Sequence, residues 1–586
     1  MNMKNKKCLL LYIIFIITAS IPLMNDFLIR GHDIYFHLMR IEGLAQGMQN
    51  GQFPVKIQPV WYDDYGYAVS VFYGDLFVYL AAFLRLLGFS LQNAYKGYLV
   101  FCNMATLMIA GYSFGKIFRN PYIGAFGGFL YSMSAYRLVN LYTRGAVGEY
   151  TGMMFLPLLI YASILLLDED KKKEKLKKGS IILGVSMACI LQSHILTAEI
   201  VCMVLAGVVI LYAKRVFCKE VLLAGIKAVA IALVLSTWFL VPFLDYMLRG
   251  EFNINSIRNN DILIQRQGVF LSQVFAMFDN AIGQSLDLSA GTQGDFAQGA
   301  GLGLMLAIPA LLVLFLMGYR KKEEKKNQKL AVTASFVGLV MVGMSTIYFP
   351  WDTLCRVAKI FQYIIVKIQF PWRFTGVATA VLALLWCAVV SYIWKQYGQK
   401  KAIVLAAGVV LVMSLSAGHF MMDLLNRGQR IQIHSVTDMD SFVASGEEYF
   451  LVNTVLDDLK QENLLHAKDI EVSDYIKAGT TITFHAKNAA ERAGRMELPL
   501  LYYEGYRAIA TREDGTNIPL EISAGQNNVV SIELEAGMDC DVTVGFCEPW
   551  YWRMAEIISV MSLCVIVEYG LWDKRGVKSE SREKVS

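Results

Sequence analysis

The chain has 586 residues, a mass of 65.7 kDa and a positive mean hydropathy of +0.44. Hydrophobic residues make up 55% and charged residues only 18% of the sequence, whereas soluble proteins carry about a quarter charged residues. This excludes an ordinary soluble enzyme, a disordered chain and a disulfide-rich secreted module, and it indicates a polytopic membrane protein. The formal net charge of +5 gives no indication of nucleic-acid binding, and no nucleic-acid partner is expected.

Apolar runs long enough to cross a hydrocarbon core of about 30 Å recur along the chain. The first begins near Cys8 and follows Lys4, Lys6 and Lys7, as the apolar part of a signal peptide would. No convincing cleavage site of small residues follows it, so we interpret it as an uncleaved anchor. Another run, Val71–Gly88, is ambiguous between a span and a segment that does not cross.

Clusters of Lys and Arg predict the orientation, because loops rich in these residues stay cytoplasmic. The basic segments are Lys171–Lys178, Lys214–Arg215, Arg320–Lys329 and Lys400–Lys401. Because Lys7 and Lys171 are then both cytoplasmic, the chain must cross the membrane an even number of times between them. Counting Val71–Gly88 as a span would make that number odd, so this segment is expected to re-enter or lie flat in the interface. The total becomes about twelve transmembrane helices. The same parity makes Gly179–Tyr212 a hairpin of two short helices, with His194 at its outer turn.

The composition changes near the C-terminal end. Thr480–His485 and Val529–Leu534 alternate polar with apolar residues, and turn signals separate such runs, which is typical of a small antiparallel β domain. We expect this domain to be extracytoplasmic, sandwich-like and inserted before the last helix. The predicted division is a transmembrane domain at 1–422 with a first outer loop at 25–93, the β domain at 423–552, a final transmembrane helix at 553–572 and a cytoplasmic tail at 573–586.

The first outer loop contains the most unusual polar pattern. Apolar residues from Ile34 to Met48 recur at helical spacing, which predicts an amphipathic helix on the membrane surface. Asp33, His37 and Arg40 lie at i, i+4 and i+7, hence on one face. In the alternative interpretation, which the spacing alone favours, Asp33 only caps the helix while His37 and Arg40 are solvated surface groups.

Further ionisable residues are expected at the outer ends of spans. Arg144 and Glu149 lie at one outer mouth, His194 at the next outer turn, and Arg373 where a later span begins. Such groups are costly at membrane depth and are therefore candidate functional residues. The alternatives are that the arginines reach to lipid headgroups and that His194 is a hydrogen-bonded helix cap.

The sequence leaves metal binding open. Asp33 with Glu149 could hold a divalent cation such as Mg²⁺ or Mn²⁺, since hard ions prefer carboxylates. His32, His37 and His194 are too dispersed to support a zinc site. The sequence contains neither a Walker A nor a Rossmann glycine pattern, so ATP-driven transport is not expected.

The order of several short motifs resembles the GT-C superfamily of polytopic glycosyltransferases. The resemblance is strongest to the bacterial membrane-protein family labelled 6-pyruvoyl-tetrahydropterin-synthase-related, which is akin to YfhO-type lipid-linked glycosyltransferases. The label does not imply pterin chemistry, because nothing here rebuilds the zinc site of that soluble enzyme. The motifs are Asp33-x-x-Phe36-His37-x-x-Arg40, Asn50–Pro54, Phe72–Leu76, Arg144–Glu149, Phe155–Leu158 and Gln369–Arg373.

The resemblance implies a membrane enzyme that transfers a sugar from a polyprenyl-phosphate-linked donor on the outer face of the cell membrane. The acceptor would be an envelope glycan, a glycolipid or a protein, and transfer would proceed with inversion. Asp33 would be the catalytic base. Arg373 is the first candidate to engage the leaving phosphate, and Arg144 and Arg40 are the next candidates. The implied substrate-binding set is His37, Arg40, Asp75, Arg144, Glu149, His194 and Arg373.

Two details of the resemblance bear on the site. Asp33 and Glu149 match the acidic positions in the first two outer loops of oligosaccharyltransferases, but a tight acid-x-acid pair is missing from the second loop, so metal dependence stays open. The alternatives to an enzyme are a transporter or flippase of lipid-linked saccharide and a non-catalytic envelope-assembly scaffold. Asp33 discriminates between them, because only an enzyme needs its carboxylate for turnover.

Overall fold

The computed structural model describes residues 3–256, 264–275, 298–317, 325–440, 447–460, 466–467 and 469–583. Residues 320–324 of the predicted basic segment and the last three residues of the predicted tail lie outside them. The chain forms two compact units. The first comprises Met1–Ile34, Lys96–Ala232 and Asn260–Gln432, and the second comprises Tyr35–Tyr95, Leu233–Asn259 and Ile433–Ser586.

Helices dominate the described chain. The first twelve are α1 (Met3–Ala19), α2 (Ile34–Gln49), α3 (Val69–Phe72), α4 (Tyr79–Leu86), α5 (Leu91–Phe118), α6 (Pro121–Ser132), α7 (Ala135–Val139), α8 (Val147–Met153), α9 (Leu156–Leu166), α10 (Lys173–Leu191), α11 (Ile195–Leu211) and α12 (Ala213–Val216). The others are α13 (Lys219–Arg249), α14 (Asn253–Ser256), α15 (Leu271–Phe275), α16 (Leu302–Met305), α17 (Ala307–Leu316), α18 (Lys325–Ser345), α19 (Trp351–Val357), α20 (Lys359–Lys367), α21 (Phe374–Tyr397), α22 (Gln399–Arg427) and α23 (Trp550–Glu583).

Among the described residues, seven helical segments are long and apolar enough to cross a membrane. They are Leu91–Phe118, Val147–Leu166, Lys219–Arg249, Lys325–Ser345, Pro371–Tyr397, Gln399–Asn426 and Trp550–Glu568. Shorter apolar helices cover Lys7–Ala19, Ile195–Leu211 and Leu302–Leu316. These helices agree with a multi-span membrane protein, while the count of twelve stays a prediction. The helical hairpin is confirmed as α10 and α11, with His194 immediately before α11.

The helix α21 lies at the centre of the first unit. Its residues from Phe374 to Tyr392 are all buried, because the helix is apolar around its whole circumference and neighbouring helices surround it. Gly376, Ala380 and Ala383 are small, and small residues let helix backbones approach closely. The residue directly before this helix is Arg373, so the position of that guanidinium depends on the most enclosed helix of the unit.

Close packing of α5 against α6 depends on glycine. A Cβ atom added to Gly124 would lie 2.9 Å from both Cα and N of Gly115, and one on Gly128 would lie 2.9 Å from the Leu107 carbonyl oxygen. Larger side chains at these positions would force the two helices apart.

The second unit contains two antiparallel sheets. The strands of the chain are β1 (Leu28–Ile29), β2 (Arg430–Ile431), β3 (His466–Ala467), β4 (Ile470–Ala478), β5 (Thr481–Asn488), β6 (Gly494–Leu501), β7 (Tyr506–Thr511), β8 (Asn517–Leu520), β9 (Ile522–Ala524), β10 (Val529–Leu534) and β11 (Asp539–Phe546). The strand orders are β3-β6-β10-β9 and β4-β5-β11-β7-β8, while β1 pairs with β2 in the first unit. The predicted C-terminal strand domain is thus confirmed, and its boundaries at 423 and 552 stay predictions.

The second unit has one hydrophobic core to which distant parts of the chain contribute. Trp61 and Tyr67 pack there with Phe252, Phe450 and the inward residues of the sheets. The backbone N–H of Leu501 also donates to the Tyr65 carbonyl at 2.9 Å. Much of the predicted first outer loop is therefore built into the same core as the β strands.

The structure bears on two predictions for the first outer loop. The helix predicted from Ile34 is confirmed as α2, and almost all of it is buried in the protein, while its position at the membrane surface stays a prediction. Arg40 and Glu42 can be buried because Asp75 and Arg85 neutralise them. The ambiguous run Val71–Gly88 does not form one continuous helix, since it contains the end of α3 and the eight-residue α4.

We predict that Gly124→Leu destabilises the protein by about 1–3 kcal/mol or more, because the new side chain has no space between α5 and α6. Gly408→Leu on α22 is the control, since a Cβ atom there meets nothing within 4 Å. Thermal unfolding of both variants in detergent measures the effect. Equal melting temperatures for the two variants would contradict the packing described here.

Candidate functional site

Main-chain hydrogen bonds fix the position of Asp33. The backbone N–H groups of His32 and Asp33 donate to the carbonyls of Thr143 and Arg144 at 3.3 and 2.8 Å. The approach requires glycine at position 31, where a Cβ atom would lie 2.9 Å from the Thr143 oxygen. Asp33 is therefore held directly beside the segment that carries Arg144, without using its own side chain.

The carboxylate of Glu149 is the centre of a buried polar cluster. Arg144 Nη1 donates to its Oε2 at 2.8 Å, and Arg373 Nε lies 3.5 Å from the same oxygen. Its Oε1 accepts hydrogen bonds from the Tyr136 hydroxyl and, at 3.2 Å, from Asn140 Nδ2. Three hydrogen-bond donors and one further guanidinium thus surround one carboxylate that is only 3% exposed.

Local structure explains why these side chains meet. Tyr136, Asn140 and Arg144 follow each other at intervals of four residues, and a single turn of π-helix covers Asn140–Arg144. Glu149 lies in the first turn of α8, where the helix dipole favours a carboxylate. Asn140 also accepts a hydrogen bond from Arg144 through its side-chain oxygen, so one residue orients both charged partners.

Arg373 reaches the cluster from the turn that precedes α21. Its Nη1 donates to the Ile368 carbonyl at 2.9 Å and to Gln369 Oε1 at 3.1 Å. The Phe370 ring lies 5.1 Å from its guanidinium carbon. The side chain is buried, so the alternative in which Arg373 simply extends to lipid headgroups does not describe its position.

The Asp33 carboxylate is partly exposed and accepts no hydrogen bond from any described residue. The interpretation of Asp33 as a side-chain helix cap therefore finds no hydrogen bond to support it. Burial raises the pKa of this carboxyl, while the charges of Arg144, His32 and Arg373 lower it and Glu149 raises it further. An unpartnered carboxylate beside two guanidiniums can accept a proton from a ligand without first breaking an internal hydrogen bond.

His194 has a capping role, which the sequence had left as the alternative. Its Nδ1 accepts the backbone N–H of Thr197 at 3.2 Å and lies 2.8 Å from the Thr197 hydroxyl. These contacts cap the N-terminal end of α11. A role of His194 in substrate binding stays a prediction.

His37, Arg40 and Asp75 belong to the second unit and form a cluster of their own. The fully buried Arg40 guanidinium donates to Asp75, to the Gly74 carbonyl at 2.9 Å and towards His37 Nδ1 at 3.1 Å. The Tyr73 ring lies 4.0 Å from its guanidinium carbon. The expectation that His37 and Arg40 are solvated surface groups is wrong, because aromatic rings and a carboxylate replace the water around them.

In the part of the chain that the structure describes, no group of three or more His, Cys, Asp or Glu side chains is arranged to hold a metal ion. Glu149, one of the two carboxylates considered for Mg²⁺ or Mn²⁺, is instead paired with two guanidiniums. A cation there would have to compete with both of them.

Sequence reasoning missed Tyr136 and Asn140, which hold Glu149. Their spacing to Arg144 was a usable signal, since residues four apart face the same side of a helix. It also missed Arg137, a fully buried guanidinium that bonds Asn103 Oδ1 at 3.0 Å, Thr106 Oγ1 at 3.1 Å and the Ser132 carbonyl at 3.1 Å. These bonds fix the helix break just before the π-turn.

An apolar cavity of about 490 Å³ lies between helices of the first unit. Residues of α9, α11, α18 and α21 line it. The lining includes Leu156, Val201 and Val377 as well as the charged Asp168 and Lys326. Val377 follows Arg373 by four residues, or about 6 Å along a helix. The helices that follow Arg373 and Glu149 along the chain, α21 and α9, thus line the cavity.

Part of the chain is similar to a known family of membrane proteins. Residues 71–279 match the family model described as the 6-pyruvoyl-tetrahydropterin synthase related domain, a membrane protein. The matched stretch is less than half of the chain, and its description is the one that the sequence motifs resemble. A relative from Lactococcus lactis subsp. cremoris (strain MG1363), described as an uncharacterized protein, is 21% identical over 623 residues, covering 97% of this chain and 96% of its own length.

Solved structures similar to the chain include an arabinofuranosyltransferase, an oligosaccharyltransferase and ArnT. Arabinofuranosyltransferase AftD from Mycobacteria has a TM-score of 0.42 and 13% identity, covering 74% of this chain and 28% of its own. Archaeal oligosaccharyltransferase AglB from Archaeoglobus fulgidus, in complex with an inhibitory peptide and a dolichol-phosphate, has a TM-score of 0.39 and 11% identity, covering 72% and 56%. ArnT from Cupriavidus metallidurans, bound to undecaprenyl phosphate, has a TM-score of 0.38 and 11% identity, covering 71% and 75%.

We predict that Glu149→Gln lowers the free energy of unfolding by about 3–5 kcal/mol, because it leaves two buried guanidiniums without their carboxylate. Glu169→Gln is the control, since Glu169 and Lys329 form an exposed pair at 3.1 Å and such pairs contribute about 0–1 kcal/mol. Unfolding in detergent by heat or denaturant compares the variants. A Glu149→Gln protein as stable as the control would contradict the central role of this carboxylate.

Proposed function

We propose that the protein is a glycosyltransferase that uses a polyprenyl-phosphate-linked sugar and acts on the outer face of the cell membrane. The observation that carries the proposal is the unpartnered carboxylate of Asp33, which the main chain holds beside Arg144 and within the electrostatic influence of Arg373. The match of residues 71–279 to a membrane-protein domain supports the membrane setting. The proposed acceptor is an envelope glycan, a glycolipid or a protein.

The chemistry is an inverting displacement at the anomeric carbon. Asp33 accepts the proton of the acceptor hydroxyl while that oxygen forms the new glycosidic bond. The bond between the anomeric carbon and the phosphate oxygen breaks, and the electron pair leaves with polyprenyl phosphate. Arg144 and Arg373 stabilise the charge that develops on this phosphate, since guanidinium groups engage phosphate by paired hydrogen bonds. Glu149 orients both arginines, because its carboxylate pairs with each guanidinium.

The apolar cavity supplies a place for part of the isoprenoid chain. Its lining includes Val377, about one helical turn beyond Arg373, so a tail among Leu156, Val201 and Val377 would start near a phosphate bound at the guanidiniums. Binding energy from the tail would then hold the reacting sugar at the carboxylate. A flippase could use the same cavity, but it has no need of the free carboxylate of Asp33.

Asp33→Asn should lower kcat by about 10²–10⁴-fold, the usual contribution of a general base. The assay incubates purified protein with polyprenyl-phosphate sugars and candidate acceptors, and it measures released polyprenyl phosphate. Thermal stabilisation by polyprenyl phosphate should persist in the variant, because the arginines are unchanged. The wild-type rate should rise with pH as the Asp33 carboxyl, whose pKa burial raises, becomes ionised.

Asp64→Asn is the matched control, since Asp64 is an exposed acidic residue of the same predicted loop. Full activity of Asp33→Asn, or transport of lipid-linked saccharide without any released polyprenyl phosphate, would contradict the enzyme and favour a flippase.

A second prediction concerns the cavity. Val204→Trp fills it from α11 and should weaken use of long-chain donors while leaving short-chain donors unaffected, because only the long chain reaches that depth. Val209→Trp on the same helix is the control, since Val209 is also half-buried but does not line the cavity. Measuring KM against donor chain length separates the two variants, and an identical dependence on chain length would contradict the tail site.

A further inference from the structure

Four charged side chains of the second unit meet at the start of α23. Lys56 Nζ lies 3.1 Å from Glu556 Oε1, and Arg553 bridges the two carboxyl groups, with Nη2 3.1 Å from Glu548 Oε1 and Nη1 3.0 Å from Glu556 Oε2. The Glu548 and Glu556 side chains are only 6% and 12% exposed. This cluster takes no part in the proposed transfer reaction.

Two carboxyl oxygens of the cluster lack a donor. Glu548 Oε2 and Glu556 Oε1 are both buried and receive no hydrogen bond from the described residues. The Lys56 ammonium forms an ion pair with Glu556 but no hydrogen bond of suitable geometry, and it donates to the Trp238 carbonyl at 3.2 Å. Buried polar atoms almost always have a partner, and ionised carboxylates can only accept. Lys56 therefore contacts Glu556 Oε1 only as an ion pair, and Glu548 Oε2 has no donor among the described residues, so a proton held between the two carboxyl groups would supply the missing hydrogen bond.

We propose that Glu548 and Glu556 share one proton and that this carboxyl–carboxylate pair is a proton-binding site. A hydrogen bond between them satisfies the buried oxygen atoms on both side chains. It also avoids placing two negative charges side by side in a poorly solvated position. Arg553 cannot fully compensate a second charge, because its side chain is 49% exposed and solvent screens it.

The electrostatic surroundings place the release of this proton near neutral pH. Burial raises the pKa of Glu548 to about 7, Lys56 and Arg553 oppose the rise, and Glu556 adds to it through its charge and a hydrogen bond. Tyr79 of α4 also lies within the electrostatic influence of both carboxyl groups. Glu548 is thus protonated at mildly acidic pH and loses its proton as the pH rises through about 7.

The site stabilises the packing of α23. Arg553 Nη1 donates to the Phe53 carbonyl at 3.0 Å, and Thr237 Oγ1 of α13 donates to the Ala555 carbonyl at 2.8 Å. Because the folded pKa of Glu548 exceeds its ordinary value of 4.5, its stabilising contribution is complete below that value and is lost as the pH rises through about 7. Alkaline pH therefore loosens the first turns of α23 from the residues around Phe53.

Infrared spectroscopy of the full-length protein in detergent tests the proposal directly. A protonated carboxyl group gives a carbonyl band that an ionised one lacks. We expect a band that fades with a midpoint near pH 7, is absent from Glu548→Gln and persists in Glu504→Gln, an exposed control. The absence of any band that titrates between about pH 5 and about pH 8, or a band unchanged in Glu548→Gln, would overturn the proposal.

Thermal unfolding gives a second readout that does not depend on catalysis. The melting temperature of the wild type should fall between about pH 5 and about pH 8 more steeply than that of Glu548→Gln, which resembles the protonated state. If Glu548→Gln fails to fold, Glu556→Gln serves the same purpose, because it also removes the shared proton. Equal pH dependence of wild type and variant, or stability that follows Na⁺ concentration instead of pH, would count against a proton site.

Discussion

The carboxylate of Glu149, surrounded by the guanidiniums of Arg144 and Arg373, is the interaction on which the rest of the site depends. Two buried positive charges in an apolar helical unit are tolerable only with a negative partner and a full set of hydrogen bonds. Tyr136 and Asn140 complete that set. Each arginine is held by hydrogen bonds to other groups of the unit, Arg144 to Glu149 and Asn140 and Arg373 to the Ile368 carbonyl and Gln369.

The position of Asp33 next to this pairing determines what its carboxylate can do. Its backbone is bonded to the segment that carries Arg144, so carboxylate and guanidinium keep a fixed relation through the main chain. The side chain itself stays unpartnered and partly exposed. A site that must accept a proton from one substrate and stabilise a phosphate of another needs both features, and the apolar cavity among the same helices adds a place for a lipid tail.

Residues that carry a local pattern could be predicted from the sequence. The spacing of apolar residues gave α2, the parity of basic loops gave the α10–α11 hairpin, and alternation gave β5 and β10. The chemistry of the motifs also brought attention to Arg144, Glu149 and Arg373, which the fold brings together. The exposure of α2 could not be predicted, since the burial of Arg40 depends on Asp75, 35 residues away along the chain. The same holds for Lys56 with Glu556, because no local pattern relates residues so distant in sequence.

A structure of the protein with bound polyprenyl phosphate tests the central claim most directly. The account predicts that the phosphate contacts Arg144 or Arg373, that the isoprenoid chain enters the cavity beyond Val377, and that Asp33 faces the open side of the phosphate. A phosphate bound away from both arginines, with the cavity empty of the chain, would contradict it.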